Sequence, residues 1–213
     1  RNNLYKNKVL LMQPPFYRLY SDVHQFNRYP LSLGYLTGEI KMHTDWDVLA
    51  YNADFCKKSG ILGVRYLSGE GFNNYLHNME DLSYYAWGEI RHVIAEYKPA
   101  VLGISSNSQN FMSACIVAKL AKQIDGRIIV IVGGPHPSMA GPDVLKCGDI
   151  DVGVRGEGER TIVELLNAIG NGDDFDGIKG IFYRKGSQVV ENAPREFIEN
   201  LDSLCFPHEY APE

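Results

Sequence analysis

The chain has 213 residues, 45% hydrophobic and 22% charged, an ordinary globular make-up that can bury about 70% of its unfolded surface without disulfide or metal staples. Its 26 acidic residues against 21 Lys and Arg leave a net charge of −5, and the basic residues are scattered, which argues against a nucleic-acid partner. No apolar run approaches the roughly 20 residues of a membrane span, and Arg1 to Lys8 is polar with no signal-peptide core, so a soluble cytoplasmic protein is expected; the start on Arg points to a piece of a longer chain.

Along the chain, strand-like runs alternate with helical patterns. Lys8 to Gln13, Asp47 to Tyr51, Ala100 to Ser105, Arg127 to Val132 and Asp151 to Arg155 are short, apolar and rich in Val, Ile and Leu, as strands buried on both faces are. After Pro30, which suits a first helical turn, Leu33, Leu36 and Ile40 open the helical spacings. Ile90, Val93, Ile94 and Tyr97 follow i, i+3, i+4, i+7, as do Val117, Leu120, Ala121 and Ile124, then Ile162, Leu165, Leu166 and Ile169. These β-α repeats predict an α/β fold, a Rossmann-like or flavodoxin-like doubly wound parallel five-stranded sheet, most simply in the order 2-1-3-4-5.

Residues 53–73, with Gly60, Gly63, Gly69 and Gly71 among aromatics, read as an insertion before a long helix ending at Lys98. A domain over 1–172 is followed by 173–213: a polar linker, a β-hairpin (Ile178 to Arg184, a Lys185-Gly186-Ser187 turn, Gln188 to Glu191) and an aperiodic exit from Asn200. Cys56, Cys115, Cys147 and Cys205 are too far apart for a C-x-x-C metal cluster, and Cys115 reads as a small buried hydrophobe.

In a doubly wound sheet, ligands bind beyond the carboxyl ends of the strands, which directs attention to five loops, Pro14 to Tyr29, Asn52 onward, Ser105 to Asn110, Gly133 to Ser138 and Arg155 to Arg160, of which the last three carry the clearest chemistry. Gly133-Gly134-Pro135-His136-Pro137 lets backbone approach a flat ligand, and its prolines hold the His136 ring outside the sheet, although the glycines also serve a plain turn. Ser105-Ser106-Asn107-Ser108 crowds a strand exit with small polar groups; Ser108 could cap the next helix unaided, which leaves Ser105 and Ser106 for a ligand. Gly156-Glu157-Gly158-Glu159 puts two carboxylates at a helix start, where the dipole favours acids but where a phosphate would be repelled. Neither a G-x-G-x-x-G fingerprint nor a P-loop follows the first strand.

Q-P-P-F at Gln13 to Phe16, Y-P-L-S-L-G-Y-L at Tyr29 to Leu36, G-I-S-S at Gly103 to Ser106, G-G-P-H-P-S at Gly133 to Ser138, G-E-G-E at Gly156 to Glu159 and N-L-D-S-L-C-F-P at Asn200 to Pro207 come in one order. Together they resemble the amino-terminal B12-binding domain of cobalamin-dependent radical SAM enzymes, a group that includes methyltransferases and anaerobic magnesium-protoporphyrin IX monomethyl ester oxidative cyclases. The resemblance implies a corrin held on strand-end loops and a nucleotide tail taken into a slot beside the sheet. It assigns the tail to Ser105, Ser106, Gly133 and Gly134, with Asn107, Pro135, His136 and the loop of Gly156, Glu157, Gly158 and Glu159 beside them. Pro14, Pro15, Phe16 and the run Tyr29, Pro30, Leu31, Ser32 and Leu33 then border the corrin.

Two departures qualify the resemblance. Asp22-Val23-His24 matches the start of the D-x-H-x-x-G motif that supplies a lower axial histidine in methionine-synthase-type B12 proteins, which makes His24 a candidate cobalt ligand. The trio lies nine residues past the strand end, however, and this radical SAM family commonly leaves cobalt without a protein histidine, so a corrin-edge or solvated-loop role competes. The cysteine triad for the 4Fe-4S cluster and S-adenosylmethionine is missing altogether; these cofactors, most substrate contacts and the radical chemistry are expected of an absent C-terminal domain, and no catalytic residue is assigned here. The competing reading is a flavodoxin-like or receiver-like signalling module, but Gln13-Pro14-Pro15 supplies no acidic pair where a receiver needs one.

Overall fold

The computed structural model describes residues 7–23, 29–58, 60–61 and 63–210. Five parallel strands, β1 (Lys8–Gln13), β2 (Asp47–Asn52), β3 (Val101–Ser105), β4 (Ile129–Gly133) and β5 (Val152–Val154), lie in the expected order β2-β1-β3-β4-β5, within two residues of the predicted bounds. The sheet does not stop there. β6 (Ile181–Lys185) and β7 (Gln188–Glu191) form the expected hairpin but add to β5 antiparallel, so the five-stranded sheet of the sequence reading is corrected to a mixed sheet of seven. The turn is Gly186-Ser187, with Gly186 at φ 63°, and Lys185 belongs to the strand.

The pairing with β6 depends on Gly153. Residue 153 pairs with Phe182, and a Cβ there would come within 1.9 Å of the Phe182 ring, so only glycine lets that buried ring lie across β5. Asp151 pins the start of β5, accepting from the Val130 amide at 2.7 Å and from Lys122 at 2.6 Å.

Strand alternation divides the core into two layers. Leu10, Met12, Leu102, Ile104, Val130 and Val132 face α5 (Tyr85–Tyr97) and α6 (Phe111–Ile124), whose Trp87, Ile90, Ile94, Val117 and Leu120 are buried against them. Val9, Leu11, Val101, Ile131, Val152 and Val154 face α2 (Leu31–His43) and α8 (Glu159–Asn171) through Leu33, Ile40, Ile162, Leu165 and Leu166. Burial of a Val, Leu or Ile side chain contributes about 1.5–3 kcal/mol, so these layers fix which helix lies on which face. Pro30 sits just before α2 as its cap, not within its first turn.

The 53–73 segment is more ordered than an insertion loop. It contains α3 (Val64–Ser68) and the start of α4 (Glu70–Glu80), and the single long helix expected before Lys98 is two, α4 and α5, broken at residues 81–84 where Asp81 accepts from the Ser83 amide and hydroxyl. A short α1 (Tyr17–Tyr20) follows β1, and Gly134 leads into a short α7 (Pro135–Ala140) where a loop was expected. The exit segment folds into 3-10 turns at Leu201–Ser203 and Pro207–Tyr210; the second packs on α2, where Tyr29 and Pro207 close over Gly34.

All four cysteines are free thiols. Cys115 is half-buried, and its thiol hydrogen-bonds that of Cys147. Among the described residues no group of three His, Cys, Asp or Glu is placed to hold a metal ion, and no helix is long and apolar enough to cross a membrane.

Candidate functional site

The site follows from a missing side chain. On β3 and β4 the alternation that puts Val101 and Ile131 under α2 and α8 next brings Gly103, in the middle of β3, and Gly133, at the end of β4, to that face. The Leu11 side chain lies over Gly103, where a Cβ would come within 2.8 Å of its Cδ2, whereas Gly133 leaves its space open, and a cleft of about 180 Å³ opens between α2 and α8, several times the roughly 30 Å³ one water occupies. Its floor is Leu11, Gly103, Ile131, Gly133 and Val154, its walls are Leu33 and Leu36 from α2 and Ile162 from α8, and its mouth carries Ser32, Ser105 and the Gly156–Glu159 loop.

The two glycine loops do different work. A Cβ on Gly133 would sit 3.7 Å from Val154 Cβ, an ordinary contact, so Gly133 keeps the cleft open and is not needed for packing. Gly134, at φ 105°, is needed by the backbone: a Cβ would come within 2.7 Å of the Ser106 carbonyl oxygen. The same carbonyl accepts from the His136 amide at 3.2 Å, and the Ser106 amide donates to the Gly133 carbonyl at 2.8 Å, so the ends of β3 and β4 are stitched together.

Of the residues assigned to the tail, Ser105, Gly133, Gly134, Gly156, Glu157 and Gly158 converge on the cleft. Ser105 meets Ser32 of α2 at 3.4 Å across the mouth. Ser106 is buried beneath it, its hydroxyl bonded to Asn110 Oδ1 and the Asn107 carbonyl, while Asn107 Oδ1 accepts from the Gln109 and Asn110 amides. Ser108 does not cap α6; it bonds the His136 ring at 3.2 Å, and that ring packs 4.2 Å from Phe111. Pro135 opens α7 and is exposed.

The corrin-border residues are spread out. Pro14 and Pro15 are buried, and Phe16 packs edge-on against Tyr17, Tyr20 and Tyr75 on the α4 side. Tyr29 turns its buried hydroxyl, which has no partner, toward Gly34; Pro30 precedes α2, and Leu31 is 59% exposed at its first residue. The candidate cobalt ligand His24 lies outside the described residues. Asp22 pairs with Lys58 at 2.8 Å, and that hydrogen bond draws its pKa below the usual carboxylate value.

Sequence reasoning assigned no role in the site to Leu11, Leu36 or Gly103, and it put Ser32 and Leu33 on the corrin border, whereas both line the cleft. The period-2 alternation of V-L-G-I-S and I-V-I-V-G already places Gly103 and Gly133 on one face, whereas the approach of Leu36 and Ser32 from α2 is a tertiary fact. Glu159 heads α8; burial, then the neighbouring charges of Glu157 and Glu39, push its pKa up, and its Oε2 is buried with no hydrogen-bond partner. Glu157 faces the same cleft, but its Oε2 accepts from the Ile198 amide at 2.6 Å.

The cleft is thus a largely apolar slot beside the sheet that opens at the carboxyl ends of β1, β3, β4 and β5. Comparison with known proteins gives the family. Residues 62–166 match the family model described as the B12 binding domain. The chain is 30% identical over 202 residues to an uncharacterized methyltransferase of Pyrococcus horikoshii, covering 94% of this chain and 38% of that protein. It is 29% identical over 177 residues to the anaerobic magnesium-protoporphyrin IX monomethyl ester cyclase of Rubrivivax gelatinosus, covering 80% of this chain and 30% of that one. The radical S-adenosylmethionine methyltransferase TsrM from Kitasatospora setae, solved with cobalamin and a 4Fe-4S cluster bound, shares the fold at TM-score 0.63 and 17% identity, over 93% of this chain and 31% of that one. The chain thus carries a B12-binding domain related to those of cobalamin-dependent radical SAM enzymes, and it spans well under half the length of these relatives.

Proposed function

We propose that this chain seats cobalamin with the nucleotide tail in the cleft between α2 and α8 and the corrin over the strand exits, on behalf of a radical SAM domain in the intact protein. The observation that carries this reading is Gly133, which leaves the cleft open at the end of β4 on a face that is otherwise filled by Val, Leu and Ile. Ser105, Ser32 and the Gly156–Gly158 backbone supply the polar mouth; Gly134, Pro135, His136, Ser106 and Asn107 shape the rim. Pro14, Pro15, Phe16, Tyr29, Pro30 and Leu31 lie on the corrin side, and His24 is the candidate lower ligand. Residues 1–172 form the cobalamin unit, and 173–213 carry the hairpin and then the segment toward the radical SAM domain.

When bound, cobalamin supplies methyl-group or redox chemistry next to a substrate radical; the 4Fe-4S cluster and S-adenosylmethionine belong to the further domain, and the reaction of the whole protein is methyl transfer or oxidative cyclisation. This chain's own part is to bind, orient and shield the cofactor. A cytoplasmic enzyme fits the composition, and a net charge of −5 offers no surface for nucleic acid.

Purified protein mixed with hydroxocobalamin should shift the visible spectrum and stay pink after desalting; colourless protein overturns the reading. In the same assay Gly133→Val, whose side chain points into the cleft, should remain folded and bind about tenfold more weakly or worse, a loss of about 1.4 kcal/mol.

A further inference from the structure

Two thiols meet on the face of the sheet away from the cleft, and the proposed cofactor seat uses neither. Cys115 lies in α6, and Cys147 closes the 3-10 turn Gly141–Lys146 that precedes β5. Both pack on the same core layer, and their side chains share a hydrogen bond. A second contact fixes this pairing of elements. Lys122, two turns on from Cys115 and so on the same side of α6, reaches Asp151, just past Cys147, at 2.6 Å. One stripe of α6 therefore lies along the link from Cys147 to β5. Cys56 and Cys205 are buried, whereas Cys115 and Cys147 are only half-buried and lie within reach of a small solute.

We propose that Cys115 and Cys147 form a dithiol–disulfide site, oxidised by a low-molecular-weight disulfide, whose closure staples the segment after β4 to α6. The two sulfurs are not equivalent. A hydrogen bond from Cys115 lowers the pKa of Cys147 against the cost of burial, helped by the Asp149 amide and the Arg184 charge, while the same bond raises that of Cys115. Cys147 therefore attacks as the thiolate: its sulfur bonds to one sulfur of the oxidant, whose S–S bond breaks to release one thiolate. Cys115 then loses its proton to water, attacks the Cys147 sulfur and expels the second thiolate. The protein thiols lose two electrons, and the oxidant leaves as two reduced thiols. Gly148, next to Cys147 with open space beside it, lets the turn follow the sulfurs as they close. The stapled segment starts at Gly134 on the rim, where the His136 ring already packs 4.2 Å from Phe111 of α6, so the disulfide fastens its far end to the same helix.

The test incubates the reduced chain, Cys115→Ser and Cys147→Ser with oxidised glutathione, blocks the remaining thiols and maps the products by peptide mass spectrometry. Melts of the reduced proteins show that each variant is folded, and the wild-type map decides even where one is not. Wild type should give an intramolecular Cys115–Cys147 link about tenfold faster than any adduct on Cys56 or Cys205. The linked form should melt about 5–15 °C higher, a gain that dithiothreitol removes. Cys115→Ser should stop at one glutathione on Cys147, and Cys147→Ser should carry neither link nor adduct at Cys115. A link between other cysteines or between chains, glutathione that stays on wild-type Cys147, or a linked form that melts no higher overturns the site. These outcomes do not depend on cobalamin binding, which hydroxocobalamin uptake reads separately.

Discussion

Glu159 shows how burial and like charges can make one carboxyl costly to ionise in the folded protein. Desolvation and two neighbouring carboxylates raise its pKa above the ordinary 4.5, so the folded state holds this proton more tightly than the unfolded chain. The stability tied to that proton is full below the unfolded value and is lost as pH rises through the folded one. Glu159→Gln, which cannot ionise, should therefore melt at a higher temperature than wild type at pH 7.5, with the gap closing toward pH 4; calorimetry of the ligand-free proteins at the two pH values checks it, and an equal gap at both would show that ionisation is not the cause. Residue-level legibility was uneven here. The G-E-G-E run was visible as a binding loop, but which of its carboxylates is engaged depends on Ile198, some forty positions later in the chain.

Among the elements, β5 is the most dependent on its neighbours. It is three residues long, and what holds it is Asp151 bridging to β4 and α6, the hairpin on its other side, and the Arg155–Glu191 pair at 2.5 Å. Gly153→Ala would push a methyl into the fully buried Phe182 ring and should cost about 1–3 kcal/mol, or about 2–4 °C per kcal/mol for a chain of this size. Circular dichroism melts read this directly; an unchanged midpoint would mean that β6 can shift without loss. The hairpin itself was legible from Gly186-Ser187 between alternating residues. Its docking onto β5 was not, because strand alternation is silent about which open edge a hairpin will join. The division of the helix before Lys98 was hidden for a related reason: Asp81 and Ser83 make local bonds that stop a helix, yet both residues also occur on exposed helical faces.

Across the whole molecule, the exit segment is tied to the same two helices that wall the cleft. Glu39, buried on α2, accepts from the Cys205 amide at 3.2 Å and lies 3.4 Å from His43; Glu157, ahead of α8, holds Ile198. Glu39→Ala leaves the buried Cys205 amide without its acceptor and should cost about 1–3 kcal/mol, concentrated in residues 199–210. Hydrogen exchange there should speed up while exchange in β1, β3 and β4 stays slow; uniform acceleration would show instead that α2 itself had been lost.

The alternating apolar runs and the helical spacings were enough to determine a doubly wound α/β domain, with 2-1-3-4-5 only the simplest of several related strand orders, and to point to the carboxyl end of the sheet, where the cleft lies, because burial on both faces and β-α alternation are local periodicities written along the chain. Tertiary structure decided that the sheet runs to seven strands, that Ser106 and Asn107 serve the turn while Ser105 faces the cleft, and that Glu157 rather than Glu159 holds the Ile198 amide. Those outcomes depend on which distant groups meet: an amide at 198, a ring at 182 and a helix at 31–43 each settle a bond that no neighbouring residue could.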